Sequence, residues 1–159
     1  MFNTAVASNN TVITFNEPSD ILLLISAIKD GDLNIAKVLL ESNPNLNLDQ
    51  CDNEGMNALM IAAQNGHSTI VKLLIEEGAN IEAQNKDQWT ALMLAARNGR
   101  AATVQLLLEK GAKTDTQNKD RWTALILAAE NGSAAIVKLL IEKGTNIEAQ
   151  NKQGDTALM

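Results

Sequence analysis

The sequence predicts an all-α fold, a solenoid of stacked helix-turn-helix units joined by β-turn fingers. The first observation is a four-residue phrase that recurs every 33 residues, beginning at positions 57, 90, 123 and 156. Its copies are Asn57–Met60, Thr90–Met93, Thr123–Ile126 and Thr156–Met159. A fixed period of about 20 to 50 residues is typical of solenoids, in which each unit stacks on its neighbours. The second observation is composition, because aromatic residues make up only 3% of the chain, which fits thin aliphatic helices packed closely together.

The period divides the chain into six segments. They are an N-terminal extension, a degenerate capping repeat, three full repeats and a partial repeat, at residues 1–16, 17–51, 52–84, 85–117, 118–150 and 151–159. In the extension, the weak alternation of Thr11–Phe15 predicts a short strand or an extended arm. In the capping repeat, we expect Ser19 or Asp20 to start the first helix and Asp30–Asp32 to end it.

Each full repeat predicts two helices that are separated by tight turns. In residues 85–117, the short helix runs from Thr90 to Asn98, and Gly99 follows where a left-handed backbone suits glycine. The second helix runs from Ala101 to Lys110, and Gly111 ends it. Alanine pairs on the short helices, which let neighbouring units approach closely, are Ala62-Ala63, Ala95-Ala96 and Ala128-Ala129.

Charge and composition argue against several classes of function. The formal net charge of −6 disfavours binding to nucleic acid or to an anionic membrane, since both attract basic surfaces. The one cysteine, Cys51, cannot form an internal disulfide, which favours a reducing compartment. The start of the chain does not resemble a secretory signal, and no apolar run reaches the roughly 18 residues of a membrane span. We therefore expect a soluble, cytoplasmic protein.

The repeat resembles that of a known family. Residues 52–67 read DNEGMNALMIAAQNGH, followed by VKLL at 71–74 and GANIE at 78–82. This is similar to the ankyrin-repeat pattern Asp-x-x-Gly-x-Thr-Pro-Leu-His-x-Ala-Ala-x-x-Gly-His, and the resemblance covers roughly residues 17–159. Here Thr-Pro-Leu-His becomes Thr-Ala-Leu-Met, so methionine replaces a histidine that usually ties units together. The variant resembles repeats of protists and of bacteria inside eukaryotic hosts, which suggests a secreted effector acting in host cytoplasm.

The resemblance implies that finger tips and short helices form a concave face that binds a partner protein of unknown identity. The residues placed on this face are Met56, Gln64, Lys86, Asp87, Trp89, Arg97, Lys119, Asp120, Trp122 and Glu130. Stacking in register would put Trp89 and Trp122 side by side at roughly 10 Å, and tryptophan is enriched at binding hot spots. Each ring either packs its finger against the next finger or contacts the partner, and both interpretations stay open.

Two columns of charge run along the same face. The basic column and the acidic column beside it consist of Lys86, Lys119 and Lys152, and of Glu54, Asp87 and Asp120. They either neutralise each other on a solvated surface or set the polarity that a partner meets.

Catalysis has no convincing residues in this sequence. His67 occupies the Gly-His position of the family, where the resemblance implies a structural role in the turn. Cys51 lacks nearby histidines or cysteines, and a metal site needs three or four ligands. The sequence therefore predicts a protein that is not an enzyme and that holds no cofactor or metal.

The last copy of the phrase stops at Met159, inside the first helix of a fifth unit. We expect either that the sequence is a fragment of a longer protein or that another chain covers this end, as in end-to-end self-association. The leading hypothesis is a protein-interaction module. The alternatives are a targeting domain of a longer enzyme, whose catalytic domain lies beyond Met159, and a structural spacer.

Overall fold

Paired helices follow the 33-residue period of the sequence. The computed structural model describes residues 3–6, 12–15 and 17–158. Its helices within that part are α1 Glu17–Asp30, α2 Leu33–Ser42, α3 Ala58–Asn65, α4 Ser68–Glu76, α5 Ala91–Arg97, α6 Ala101–Glu109, α7 Ala124–Glu130 and α8 Ala134–Glu142. The first helices of the pairs contact each other in the order α1, α3, α5, α7, and the second helices do so in the order α2, α4, α6, α8. The predicted all-α solenoid is confirmed.

Each repeated phrase begins a short helix because its first residue is the N-cap. The side chain of Asn57 accepts a hydrogen bond from the Met60 N–H at 2.9 Å, and Thr90 accepts one from the Met93 N–H at 3.3 Å. Thr123 repeats the bond in α7. Such a bond satisfies one of the amide donors that the first turn of a helix leaves unpaired. The phrase is therefore a helix start signal at a fixed spacing.

The short helices are buried on almost every side. All six residues from Ala91 to Ala96 are buried in α5, and Ala95 and Ala96 are completely inaccessible. Helices of about two turns are not stable alone in water, so these helices depend on the units that sandwich them. The alanines allow that close approach because they place no bulk between the helix axes.

The first helix of the capping repeat begins earlier than the sequence analysis expects. Helix α1 starts at Glu17, so the prediction that Ser19 or Asp20 caps it is wrong, and both residues lie within the helix. Pro18 stands in the first turn, where its fixed φ suits a helix and its missing N–H is not needed. The other end agrees with expectation, since Gly31 adopts φ +72° after α1. Asp32 then caps α2 by accepting a hydrogen bond from the Ile35 N–H at 2.9 Å.

Two short strands precede the helices. Strand β1 (Asn3–Val6) pairs with β2 (Val12–Phe15) in an antiparallel register that places Asn3 opposite Phe15. Strand β2 falls within Thr11–Phe15, where the alternation predicts a strand or an arm, and Thr11 itself lies outside the described residues. No sequence pattern indicated β1, which contacts α2.

The final copy of the phrase forms a turn in place of the expected helix. Thr156 accepts a hydrogen bond from the Leu158 N–H at 3.3 Å, and Met159 lies outside the described residues.

Candidate protein-binding face

The finger turns are closed by the side chain of their first residue. Asn85 Oδ1 accepts hydrogen bonds from the N–H groups of Asp87 at 3.0 Å and Trp89 at 2.9 Å. Asn118 makes the same two bonds in the next finger, and Asn151 makes them in the one after. In the first finger the closing side chain is the carboxylate of Asp52. The fingers therefore share one backbone shape, on which the side chain at the end of each turn differs.

The ten residues predicted for the partner face differ in how much surface they offer. Those that are exposed are Gln64, Lys86, Asp87, Arg97, Lys119, Asp120 and Glu130. Trp89 and Trp122 are half-buried and pack against the core. Met56 is only 7% exposed, and its sulfur lies 3.6 Å from the Asn85 amide nitrogen. Met56 therefore lines a recess beside Gln64 and offers little surface to a partner.

The basic column is bonded to the acidic column, one repeat apart. Lys119 Nζ lies 3.4 Å from Asp87 Oδ1, and Lys152 Nζ lies 3.0 Å from Asp120 Oδ1. The backbone reinforces both contacts, because the Lys119 N–H donates to the Asp87 carbonyl at 3.1 Å and the Lys152 N–H to the Asp120 carbonyl at 3.0 Å. Each lysine thus bridges its own finger to the preceding one, as the neutralisation interpretation expects.

Lys86 reaches the preceding finger without a carboxylate. Its Nζ donates to the Asn53 carbonyl at 2.8 Å, while Glu54 is exposed beside it. All these side chains remain largely in solvent, and exposed ion pairs of this kind contribute at most about 1 kcal/mol each. The lysine contacts therefore position neighbouring fingers but add little to the free energy of unfolding.

Trp89 is covered by a cation of its own unit. The guanidinium carbon of Arg97 lies 5.0 Å from the centre of the Trp89 ring, within the range of a cation–π contact. The ring also packs against the core, and it keeps part of its surface exposed. Trp89 therefore packs on the core and under Arg97, and both packing against the next finger and contact with a partner stay predictions.

One set of contacts between units has no counterpart in the sequence analysis. The side chain after each loop glycine packs on the loop glycine of the preceding unit, in the pairs His67 on Gly31, Arg100 on Gly66 and Ser133 on Gly99. The Arg100 side chain also donates to the Gln64 carbonyl at 3.2 Å. The sequence signal that could have revealed these contacts is position, because each of these residues directly follows the loop glycine that recurs once per repeat. The role of His67 is thus packing across units, and its side chain makes no capping bond to α4.

Among the described residues, potential metal ligands are not clustered and the pKa of the one thiol is raised. Residues 3–6, 12–15 and 17–158 contain no group of three or more potential metal ligands. The pKa of the Cys51 thiol is raised, first by partial desolvation and then by the negative charges of Asp52 and Asp49, which disfavours a reactive thiolate. In the same residues, no helix is long and apolar enough to cross a membrane.

Comparison with known proteins identifies the repeat. Residues 23–118 and 110–159 match the family model described as ankyrin repeats in three copies. M-phase phosphoprotein 8 of Homo sapiens is 41% identical over 73 residues, which are 46% of this chain and 8% of that protein.

Two further relatives give the same result. The probable E3 ubiquitin-protein ligase XBOS32 of Oryza sativa subsp. japonica is 44% identical over 62 residues, which are 39% of this chain and 12% of that protein. BTB/POZ domain-containing protein 3 of Schizosaccharomyces pombe is 35% identical over 74 residues, covering 46% of this chain and 14% of that protein. The matched stretches are a small part of each relative. The ankyrin-repeat model, in contrast, matches most of the length of this chain. Together with the helix pairs and the fingers, this match shows that the chain belongs to the ankyrin-repeat family.

Proposed function

We propose that this chain binds a partner protein through the face formed by the finger turns and the exposed ends of the short helices. Ankyrin repeats generally mediate protein–protein interaction, and the proposal assigns that role to one surface. The observation that carries it is variation at equivalent exposed positions. The helix position changes from Gln64 to Arg97 to Glu130 while the buried positions around it repeat.

The hydrogen bonds within and between the fingers support binding by a preformed surface. Internal side-chain bonds hold each turn, and backbone bonds such as Lys119 N–H to the Asp87 carbonyl join one finger to the next. A rigid surface loses little conformational entropy when it binds, so a larger part of the contact energy appears as affinity.

The test begins with a partner captured from lysate of the source or host cell, identified by mass spectrometry and then purified. Replacing both Trp89 and Trp122 by alanine should weaken binding of that partner by about 2 kcal/mol or more, because buried aromatic anchors dominate such interfaces. Since both rings pack on the core, the surface variants Arg97→Ala and Glu130→Ala are measured alongside. Circular dichroism checks that every variant is folded.

The matched controls are Glu109→Ala and Lys138→Ala, which change exposed residues on the second helices α6 and α8. They should leave affinity unchanged. If the controls weaken binding as much as the face variants do, the partner binds elsewhere on the solenoid and the proposed face is wrong.

A second candidate is that the chain is the ankyrin part of a longer enzyme, which it directs to its target. Relatives named E3 ubiquitin-protein ligases, matched over 12% of their length, favour this candidate. Intact mass measurement of the natively expressed protein decides between them. A species of 17.1 kDa would argue against the longer enzyme, and a much heavier one with ligase activity would support it.

Self-association is a further part of the proposal. Ile141, Ile147 and Leu158, all in the C-terminal part of the sequence, are 46%, 40% and 73% exposed, and exposed apolar side chains favour contact with another surface. Sedimentation velocity over a range of concentrations should show association, which Ile141→Lys should reduce. A species that stays monomeric at every concentration would exclude it. The effector role and the host-cytoplasm setting remain predictions.

A further inference from the structure

The two tryptophan fingers present their rings in different surroundings. In the second full repeat, Arg97 places its guanidinium over Trp89. The residue 33 positions after Arg97 is Glu130, and the residue 33 positions after Trp89 is Trp122. The third full repeat therefore keeps the ring and replaces the cation by a carboxylate.

The surroundings of Trp122 form a recess. It has a volume of about 350 Å³ and is lined by Trp122, Ile126, Ala129, Glu130 and Asp155–Ala157. Asp155 lies 33 positions after Trp122, as Trp122 lies 33 positions after Trp89. This recess therefore has a smaller, acidic residue where the corresponding site of the second full repeat has a tryptophan. We call it the Trp122 recess. Its size is at the lower end of small-ligand pockets, which span about 300 to 1,000 Å³, so it can hold one side chain.

The charges near the ring favour a cation. Among the described residues, Glu130 makes no ion pair, and no cation lies over the Trp122 ring. One oxygen of Asp155 accepts a hydrogen bond from the Asn151 amide at 3.0 Å, which holds that carboxylate at the edge of the recess. The neighbouring cation Lys152 is engaged by Asp120. An aromatic ring that lines the same recess as two carboxylates attracts a positively charged group by both charge and cation–π contact.

We propose that the Trp122 recess binds an arginine side chain of the partner protein. The second repeat shows which group suits this ring, because its own guanidinium occupies the equivalent place on Trp89. Arginine stacks flat on aromatic rings and can donate to both carboxylates at once. The acidic net charge of −6 favours approach by a basic segment. The inference rests on the proposed function and specifies the chemistry that the partner brings to this part of the face.

The test is an NMR titration of the isotope-labelled full chain with the acetylated, amidated peptide Gly-Ser-Arg-Gly-Ser. The chain has two tryptophans, so two indole N–H signals are expected, and Trp89→Phe assigns them. The Trp122 signal should move and saturate at millimolar peptide. The Trp89 signal should stay in place because Arg97 covers that ring. The same peptide with citrulline, which keeps the shape of arginine but lacks its charge, should cause little movement.

Two variants with equal charge change sharpen the result. Glu130→Arg gives Trp122 the same covering cation that Trp89 has and should abolish binding of the peptide. Glu77→Arg changes an exposed residue at the end of α4 and should leave binding within about twofold, since distant surface charges are screened.

Several outcomes would overturn the proposal. They are equal movement with the citrulline peptide, equal movement of both tryptophan signals, unchanged binding in Glu130→Arg, and no movement at millimolar peptide. Failure here is distinguishable from failure of the proposed function. If the double variant Trp89→Ala, Trp122→Ala weakens partner binding while the arginine peptide does not bind to the unchanged chain, the proposed face is supported and the recess does not bind arginine.

Discussion

The His67 imidazole occupies the space that a side chain on Gly31 would need. A Cβ at Gly31 would lie 2.8 Å from His67 Cε1 and 3.2 Å from both ring nitrogens. The first full repeat thus packs on the loop of the capping repeat through a contact that leaves no room for a side chain at Gly31. The contact joins the degenerate capping repeat to the first full repeat.

Gly31→Ala should therefore destabilise the protein more than Gly132→Ala does. Both glycines have positive φ, +72° and +68°, but a Cβ at Gly132 meets nothing within 4 Å. The backbone strain is thus similar, and the difference, about 1 kcal/mol, reflects crowding against His67. Urea unfolding measures both free energies. His67→Ala should remove the difference, and its persistence in the double variant would show that the ring is not its cause.

Gln88→Gly should raise the free energy of unfolding by about 0.5 kcal/mol, because Gln88 adopts φ +64° and a left-handed backbone costs a residue with a side chain more than it costs glycine. Arg121, at φ +65°, should respond in the same way. The reverse change provides the control, since a Cβ at Gly55 would lie 2.9 Å from the Lys86 backbone nitrogen. Gly55→Ala should lower the melting temperature. A loss of stability in Gln88→Gly would contradict the strain explanation.

Thr90→Val should cost about 1 to 2 kcal/mol, because it keeps the shape of the side chain and removes the oxygen that caps α5. Thr90→Ser keeps that oxygen and should cost clearly less. Denaturant unfolding of the three proteins measures the difference. Equal stability of the valine and serine variants would mean that packing of this buried residue, and not capping, fixes the start of the helix.

Cys51 should react slowly with iodoacetamide at neutral pH, and the midpoint of its rate against pH should lie above that of the urea-unfolded chain. Desolvation raises the pKa of the thiol first, and Asp52 and Asp49 add to it, so Asp49→Asn should lower the midpoint only in part. The folded protein holds the thiol proton more tightly than the unfolded chain does. Stability therefore falls as the pH rises from the ordinary pKa through the raised one. A midpoint equal in both states would contradict this.

The sequence predicted the stack well because the period fixes which residues face a neighbouring unit. Once Thr90 and Thr123 are known to be equivalent, the helix starts, the buried alanines and the glycine ends follow. The sequence predicted fewer structural details in the N-terminal residues, which match the repeat poorly. The start of α1 was misplaced because Pro18 sets it without any matching residue in the other units, and β1 carries no alternation that would distinguish it from an arm.

The face was harder to predict because exposure depends on the neighbouring finger as well as on position in the repeat. Met56 and Trp89 are equivalent in sequence, yet Met56 is buried and Trp89 is half-exposed. The cover of Arg97 over Trp89 depends on which side-chain rotamer reaches the ring, and a period carries no information about rotamers. Whether the predicted residues contact a partner stays a prediction.

The bonds that join the units recur at nearly constant sequence separation. Lys86 reaches Asn53 across 33 residues, and Lys152 reaches Asp120 across 32. Each added unit would bring both a donor for the finger before it and an acceptor for the finger after it. Duplication of a 33-residue stretch of the gene could therefore lengthen the array without breaking an existing contact, and every new copy would supply one more finger tip on which selection can act.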